Sequence, residues 1–348
     1  MLYQIYIVKD KIFLYEVYFK RVISKDEFNN LIEKLKEAAL SKLKNVIGVY
    51  NDYKNKYKIS YLTEKDLNLY FFFINGLSDK IEDIRKELYK LKKEFLNFFR
   101  DKLNDYIDPS LIELINPITY SIHRNLKPKI SLVGFGGVGK TTTVKLIKKE
   151  EIPAVHIPTR SGEVSTIKIG KLYFQLWDFA GQEQFSYLWN SFIKGSDAIL
   201  IISDSSLENV EKSKFFIELI KDEAPHARSV VIGNKQDLPD ALSADKIEQI
   251  LGLKTYSMVA IDPANRNKII HIIIDLLEMS SDTSPLIRSL FERDQLMKEA
   301  NEALENRNLL QALNLFEKVS DLCLELGDDY LYKECYKKIE KIKIILDK

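Results

Sequence analysis

Short apolar runs at two alternating periods organise the first hundred positions. "YQIYIV" and "KIFLYEVYF" flank Lys9-Asp10-Lys11 and predict a β-hairpin. "SKDEFNNLIEKLKEAALSKL" opens on a Ser24/Glu27 capping box and continues at helical spacing. Three more strand-like runs follow, Val46–Tyr50, Tyr57–Leu62 and Leu67–Ile74, and then a helix from Asp79 to about Leu103. The helix stripe is Ile81, Ile84, Leu88, Leu91, Phe95 and Phe98, short for a coiled coil and suited to packing on its own sheet. Lys86, Lys90 and Lys93 fall on the other side, as a solvated face. Residues 1–105 are therefore expected to be an α+β unit, an antiparallel sheet with helices laid on it.

Prolines at 109, 117 and 128 then interrupt the pattern and mark 106–128 as a linker. Over 129–279 buried-strand runs alternate with helical ones, which predicts an α/β domain with a mostly parallel sheet and helices on both faces. "MSSDTSP" gives a second linker over 280–289, and 290–348 is helical throughout. In that tail Ala300, Ala312 and Phe316 resemble one tetratricopeptide-like hairpin, with one more helix from about Asp329. A single such unit cannot bury its apolar face alone, so the tail is expected to dock on the rest of the chain or on a partner helix. Helices packing at home are the commoner case.

Lys and Arg total 52 against 51 Asp and Glu, a formal net charge of +1, so nothing global favours nucleic acid or an anionic membrane. The two cysteines, Cys323 and Cys335, lie on the helical tail without metal-ligand spacing, as in a reduced interior. His123, His156, His226 and His271 are scattered and read as structural. With no signal core, membrane span or lipidation box, a cytoplasmic protein is expected, with any membrane contact made through a partner.

The chemistry begins in "SLVGFGGVGKTTTVKLIKKE". A β-branched strand, a Gly-rich turn and a helix are the context of a phosphate-binding loop. Gly134, Gly136, Gly137 and Gly139 let the backbone curl so that amide N–H groups, those of Val138 and Thr142 among them, converge on an anion. Lys140 would reach the β- and γ-phosphates, and the Thr141 hydroxyl would sit on Mg²⁺. In "VVIGNKQDLPDAL" a buried strand ends in Asn234-Lys235-Gln236-Asp237. A carboxylate at Asp237 can accept both the N1–H and the exocyclic amine of guanine, a donor pair adenine lacks. Asn234 would tie the two loops together, Lys235 would lie along the purine, and the Ala260 N–H of "SMVAID" could cap the guanine O6.

Between them, "LYFQLWDFAGQEQF" places Asp178 to hold Mg²⁺ through water and the Gly181 N–H to bond the γ-phosphate. Gln182 follows, placed to orient an attacking water. Upstream, "HIPTRSGEV" offers Thr159 as a second hydroxyl on Mg²⁺. Four such pieces in order, each leaving a strand, are hard to attribute to chance.

Over residues 129–279 these motifs resemble a small GTPase of the Ras superfamily, and "IPT", "WDFAGQE" and "NKQDLPDAL" resemble its Arf/Arf-like/Sar branch. The resemblance implies family roles for Lys140, Thr141, Thr159, Asp178, Gly181, Gln182, Asn234, Lys235, Asp237 and Ala260. Three departures stand out. "GFGGVGKT" is closer to Ras, with Gly136 where Arf proteins carry a side chain. After Thr159 comes Arg160-Ser-Gly rather than the apolar residue expected of an Arf effector strand. A whole domain stands where Arf has a lipidated helix. The element order of 1–105 is similar to that of longin and roadblock-like domains.

The implied function is a GTP-binding switch that hydrolyses GTP to GDP and regulates protein assembly through effector, activating and exchange proteins. Catalysis would fall to Gln182 and Lys140, with Arg160 the nearest candidate for an internal arginine finger. Without such a finger, turnover should be slow, on the order of 10⁻⁴ to 10⁻² per second. The competing expectations are a non-hydrolysing, GTP-bound structural module and a membrane-tethering adaptor.

Overall fold

The computed structural model describes residues 1–10, 12–40, 47–52, 57–77, 79–103, 113–150, 162–181, 184, 186–279, 282 and 284–346. Two sheets divide the work. The first holds β1 (Leu2–Lys9), β2 (Ile12–Tyr18), β3 (Ile47–Asp52), β4 (Tyr57–Glu64) and β5 (Leu69–Gly76) in the order β2-β1-β5-β4-β3, every neighbour antiparallel. The hairpin turns at Asp10, which takes the left-handed conformation (φ 53°) open to Asp in tight turns. All eight residues of β5 are buried because both sheet faces are covered. Helix α1 (Lys25–Leu40) lies on one face, where Phe28 stacks on Tyr6 at 4.4 Å. Helix α2 (Ile81–Phe99) lies on the other, where Phe95 meets Phe71 edge-on.

The buried stripe of α2 is Ile84, Leu88, Leu91, Phe95 and Phe99. Phe98, expected in it, is 47% exposed. The 3.6-residue repeat brings the fourth residue after Phe95 over the sheet, not the third. Lys90, expected to be solvated, reaches Ser121 Oγ at 2.8 Å, while Lys86 and Lys93 are exposed.

That contact comes from a helix within 106–128, the segment expected to be a linker. Asn116–Asn125 forms helix α3. Pro117 lies in its first turn, where a missing N–H is no loss, so it starts the helix rather than breaking it. Tyr15 Oη donates to Asn116 Oδ1 at 2.8 Å and lies 3.0 Å from Thr119 Oγ1. His123 is buried with its ring 4.3 Å from that of Phe19. Ile115, Ile122 and Leu126 share a single apolar cluster with Ile5, Leu88 and Phe95 on one side and Ile130 and Leu132 on the other. The Met1 α-amino group pairs with Asp79 at 2.5 Å and with Asp197 at 3.2 Å, one residue from each side.

The second sheet runs β11-β10-β9-β6-β8-β7. Its strands are β6 (Lys129–Val133), β7 (Glu163–Ile169), β8 (Leu172–Asp178), β9 (Ala198–Ser203), β10 (Arg228–Gly233) and β11 (Thr255–Ser257). Every pair is parallel except β7–β8. Central β9 is buried throughout, with Leu200 and Ile202 on one face and Ile199 and Ile201 on the other. Edge strand β7 alternates exposed and buried. The helices are α4 (Lys140–Lys148), α5 (Ser186–Ile193), α6 (Leu207–Lys212), α7 (Lys214–Glu223), α8 (Ala244–Leu251) and α9 (Asn265–Leu276). Side chains of α4 and α9 fill the first face, and those of α5, α7 and α8 fill the second.

The tail is α10 (Arg288–Glu305), α11 (Leu309–Leu326) and α12 (Asp329–Leu346). Ala300, Ala312, Phe316, Val319 and Cys335 make its own small core. Leu286, Ile287, Leu290 and Leu326 belong to the large cluster under the second sheet, so the tail is docked there. Among the described residues no helix is long and apolar enough to cross a membrane.

Candidate functional site

The motif residues gather at the C-terminal ends of β6, β8, β9 and β10, the side of a parallel sheet where loops leave the strands and ligands bind. After β6 the chain passes Gly134 (φ 148°), Gly137 (φ 77°) and Gly139 (φ 103°) before α4 starts at Lys140. At Gly134 an added Cβ would overlap the Ile202 carbonyl, and at Gly139 it would overlap Asn234 Nδ2, so the curl requires glycine at both. Val138 is fully buried and pins the loop, while Gly136 and Gly137 are exposed at its tip. Thr142 lies half-buried in the first turn of α4.

Lys140 folds back over this loop and donates to the Gly134 and Phe135 carbonyls, both at 2.8 Å. Burial pushes its ammonium down to about 8, with Asp178 partly opposing, so it remains positive at neutral pH. Thr141 Oγ1 donates to Asp178 Oδ2 at 2.6 Å. Asp178 is buried at the end of β8, and burial raises its carboxyl pKa against the pull of Thr141 and Lys140. Its Oδ1 has no hydrogen-bond partner among the described residues. Three residues on, Gly181 lies so close that an added Cβ would overlap Lys140 Nζ and the Gly134 carbonyl. Trp189 Nε1 donates to the Ala180 carbonyl at 3.2 Å and holds this segment in place.

Asn234 joins the two ends of the site. Its Nδ2 donates to the Val138 carbonyl at 2.9 Å, and its Oδ1 accepts the Ala260 N–H at 2.9 Å. The Ala260 N–H, expected to face a purine oxygen, is thus engaged by Asn234 in this structure. Lys235 takes a left-handed backbone (φ 59°), which turns the following Gln236 inward and leaves Asp237 exposed at the lip. Thr159, Gln182 and the candidate finger Arg160 lie outside the described residues.

Three contributors have no role in the sequence motifs. Gln236 Nε2 donates to Ser205 Oγ at 2.8 Å and the Leu242 carbonyl at 2.9 Å, and Ser205 Oγ donates to the Asn234 carbonyl at 2.6 Å. Phe135 inserts between Trp189 and Phe216, with ring centroids at 6.0 and 5.0 Å, and anchors the phosphate loop to α5 and α7. The serines of "DSS", at 204–206 directly after buried β9, are a visible signal. The aromatic contact had none.

Beside the loop tip a cavity of about 320 Å³ is lined by Phe135, Gly136, Gly181, Asp204, Glu208 and Lys212. The donor set fits Mg²⁺ better than a tightly caged metal. Asp178 and Thr141 supply one carboxylate with an unpaired buried oxygen and one hydroxyl. No cluster of three or more His, Cys, Asp or Glu stands among the described residues. Mg²⁺ keeps several waters and takes one or two carboxylates together with substrate phosphates.

Residues 116–276 match the model of the ADP-ribosylation factor family. The match begins at the first residue of α3, ends at the last residue of α9, and covers less than half of the chain. GTPases of that family bind guanine nucleotide and hydrolyse GTP. Between its N-terminal sheet domain and its helical tail, the chain thus carries an Arf-type small GTPase domain, an enzyme of GTP hydrolysis.

Proposed function

We propose that the protein is a Mg²⁺-dependent molecular switch whose GTP-bound form displays or hides a surface for protein assembly, and whose slow hydrolysis is stimulated by a partner. The supporting observation is the pair of hydrogen bonds by which Asn234 donates to the Val138 carbonyl and accepts from the Ala260 N–H, which makes phosphate loop and base loop one unit. Asp237 would accept the two donors of guanine, and the stem of Lys235 would cover the purine. The exposed tip at Gly136 and Gly137 would receive the phosphates, with the N–H groups of Val138 and Thr142 facing them.

Lys140 would exchange its two carbonyl partners for phosphate oxygens and balance charge there as the bond to the leaving group lengthens. Thr141, Asp178 and Thr159 would hold Mg²⁺, which when bound neutralises charge on the phosphates. Gln182 would orient the attacking water, and the Gly181 N–H would bond the γ-phosphate. Loss of that phosphate would release the segments of Thr159 and Gly181 together. Regulation of the switch by the N-terminal domain, and contact with membranes through a partner, complete the proposal.

The test is to denature the purified protein and identify the released nucleotide by chromatography. Near-stoichiometric GDP or GTP is expected. A preference for ATP would overturn the reading. Single-turnover kinetics should then show Gln182→Leu abolishing partner-stimulated hydrolysis, and GTP left intact with every partner would leave only a structural role.

A further inference from the structure

We propose that the tail slows release of bound nucleotide, and that Arg266 is the positioning residue through which it does so. The inference rests on the nucleotide reading above and concerns its regulation. Helix α4 has two ends. The front carries Lys140 and Thr141, and the rear ends at Lys149, whose left-handed backbone (φ 62°) closes the last turn. The Ile147 carbonyl at that rear end is capped by Arg266 Nε of α9 at 3.2 Å, in a buried contact.

Arg266 is held in turn by the tail. Its guanidinium lies 3.8 Å from Asp328 Oδ2, and Arg293 Nη1 of α10 donates to the same oxygen at 2.9 Å. Arg293 Nη2 also donates to Asn267 Oδ1 at 2.6 Å, next to Arg266 on α9. All three charged groups are buried. A buried guanidinium is stable only beside a buried counter-charge. Asp328, in the turn between α11 and α12, supplies it.

The same turn touches the rear of two elements. Gly327 (φ 63°) lies against Lys149, leaving 2.9 Å from an added Cβ to Nζ, and Asp329 Oδ2 pairs with Lys149 Nζ at 3.2 Å. Leu326 packs on Gly170, at the turn between β7 and β8. The front ends of α4 and β8 carry Lys140, Thr141 and Asp178. A nine-residue helix is a strut about 13 Å long, so motion at one end is felt at the other. Nucleotide leaves when the front end loosens, and a docked tail makes that local opening rarer.

The experiment uses the full chain loaded with a ribose-labelled fluorescent GDP and chased with excess GDP in Mg²⁺. Arg266→Met removes the cap on Ile147 and should speed release about tenfold. Asp328→Asn keeps the shape but removes the charge and should act in the same direction. Lys149→Asp and Asp329→Lys should each speed release about two- to threefold, and the double exchange should restore it. Melting temperature is measured alongside. Folded variants that melt earlier yet release GDP within about 1.5-fold of the parent rate would overturn the proposal and leave a purely structural contact. If Arg266→Met fails to fold, the single and double exchanges at Lys149 and Asp329 decide the matter alone. A parent chain that binds no labelled GDP would instead overturn the nucleotide reading.

Discussion

Replacing Asn234 by alanine isolates the tie between the two halves of the site. The change removes two buried hydrogen bonds, to the Val138 carbonyl and from the Ala260 N–H, each 2.9 Å long. Both partner residues are themselves buried, so neither group regains bulk water. An unsatisfied buried donor or acceptor costs about 1–3 kcal/mol, which puts the sum at about 2–6 kcal/mol. Water entering the vacated volume would recover part of it, and about 3 kcal/mol is the expected loss. The assay is urea unfolding of nucleotide-stripped protein, because bound ligand would add its own stabilisation to the folded state.

Gly139 supplies an internal control. It combines φ 103° with a backbone so close to Asn234 Nδ2 that an added methyl would overlap it. Gly139→Ala therefore suffers both strain and clash in the parent, but strain alone once Asn234 is alanine. The double variant should be more stable than the sum of the singles predicts, by about 1 kcal/mol or more. Additivity within about 0.3 kcal/mol, or a cost below about 0.5 kcal/mol for Asn234→Ala alone, would refute the reasoning.

Other expectations follow from single contacts. Asp237→Asn replaces an acceptor with a donor and should weaken GDP binding at least about a hundredfold by calorimetry, while favouring xanthosine diphosphate, whose 2-carbonyl suits an amide. GDP affinity retained within about threefold would remove Asp237 from the base site. Burial, aided by the Met1 ammonium, holds the His123 imidazole down at about 3 against an ordinary 6.5. The unfolded chain then takes up a proton that the folded one refuses, so stability is full above the ordinary value and declines as pH falls toward the folded one. Between pH 7 and 5 the loss is about 2 kcal/mol, and His123→Leu should abolish it in paired urea titrations. An unchanged pH slope in the variant would contradict this. Phe99→Ala should cost about 3–5 kcal/mol and Phe98→Ala less than about 1 kcal/mol, and the reverse order would place the wrong ring against the sheet.

What was legible in the sequence was local. The glycines at 134, 137 and 139 are demanded by positive φ, and each could be read from spacing because the loop encodes its own backbone. The alternation of β-branched runs and helices likewise gave both sheets, since burial on one or two faces writes itself into the pattern. Contacts made at long range were not legible. Nothing in "SMVAID" says that the Ala260 N–H meets a side chain 26 positions away. Gln236 and Ser205 matter because two loops happen to converge. Helix α3 is the instructive case. Its one proline and two asparagines look like breakers, yet Ile115, Ile118, Ile122 and Leu126 repeat three and four apart, and that period outweighs the punctuation.

The position of α3 constrains how the N-terminal domain can act on the GTPase domain. The helix falls inside the family match, yet Tyr15 and Phe19 of the first sheet domain cover it from the other side. Swinging that domain away would expose Phe19, Ile115, Ile122 and Leu126, four side chains now buried. At about 1.5–3 kcal/mol each, separation would cost about 6–12 kcal/mol before any hydrogen bond is counted. That equals the whole stability of an ordinary domain, about 5–15 kcal/mol. A tethered lid that opens and closes is therefore the wrong picture. Any influence of this domain must pass through the shared core, as a small shift of α3 against β6 and β8, with the apolar contact kept throughout.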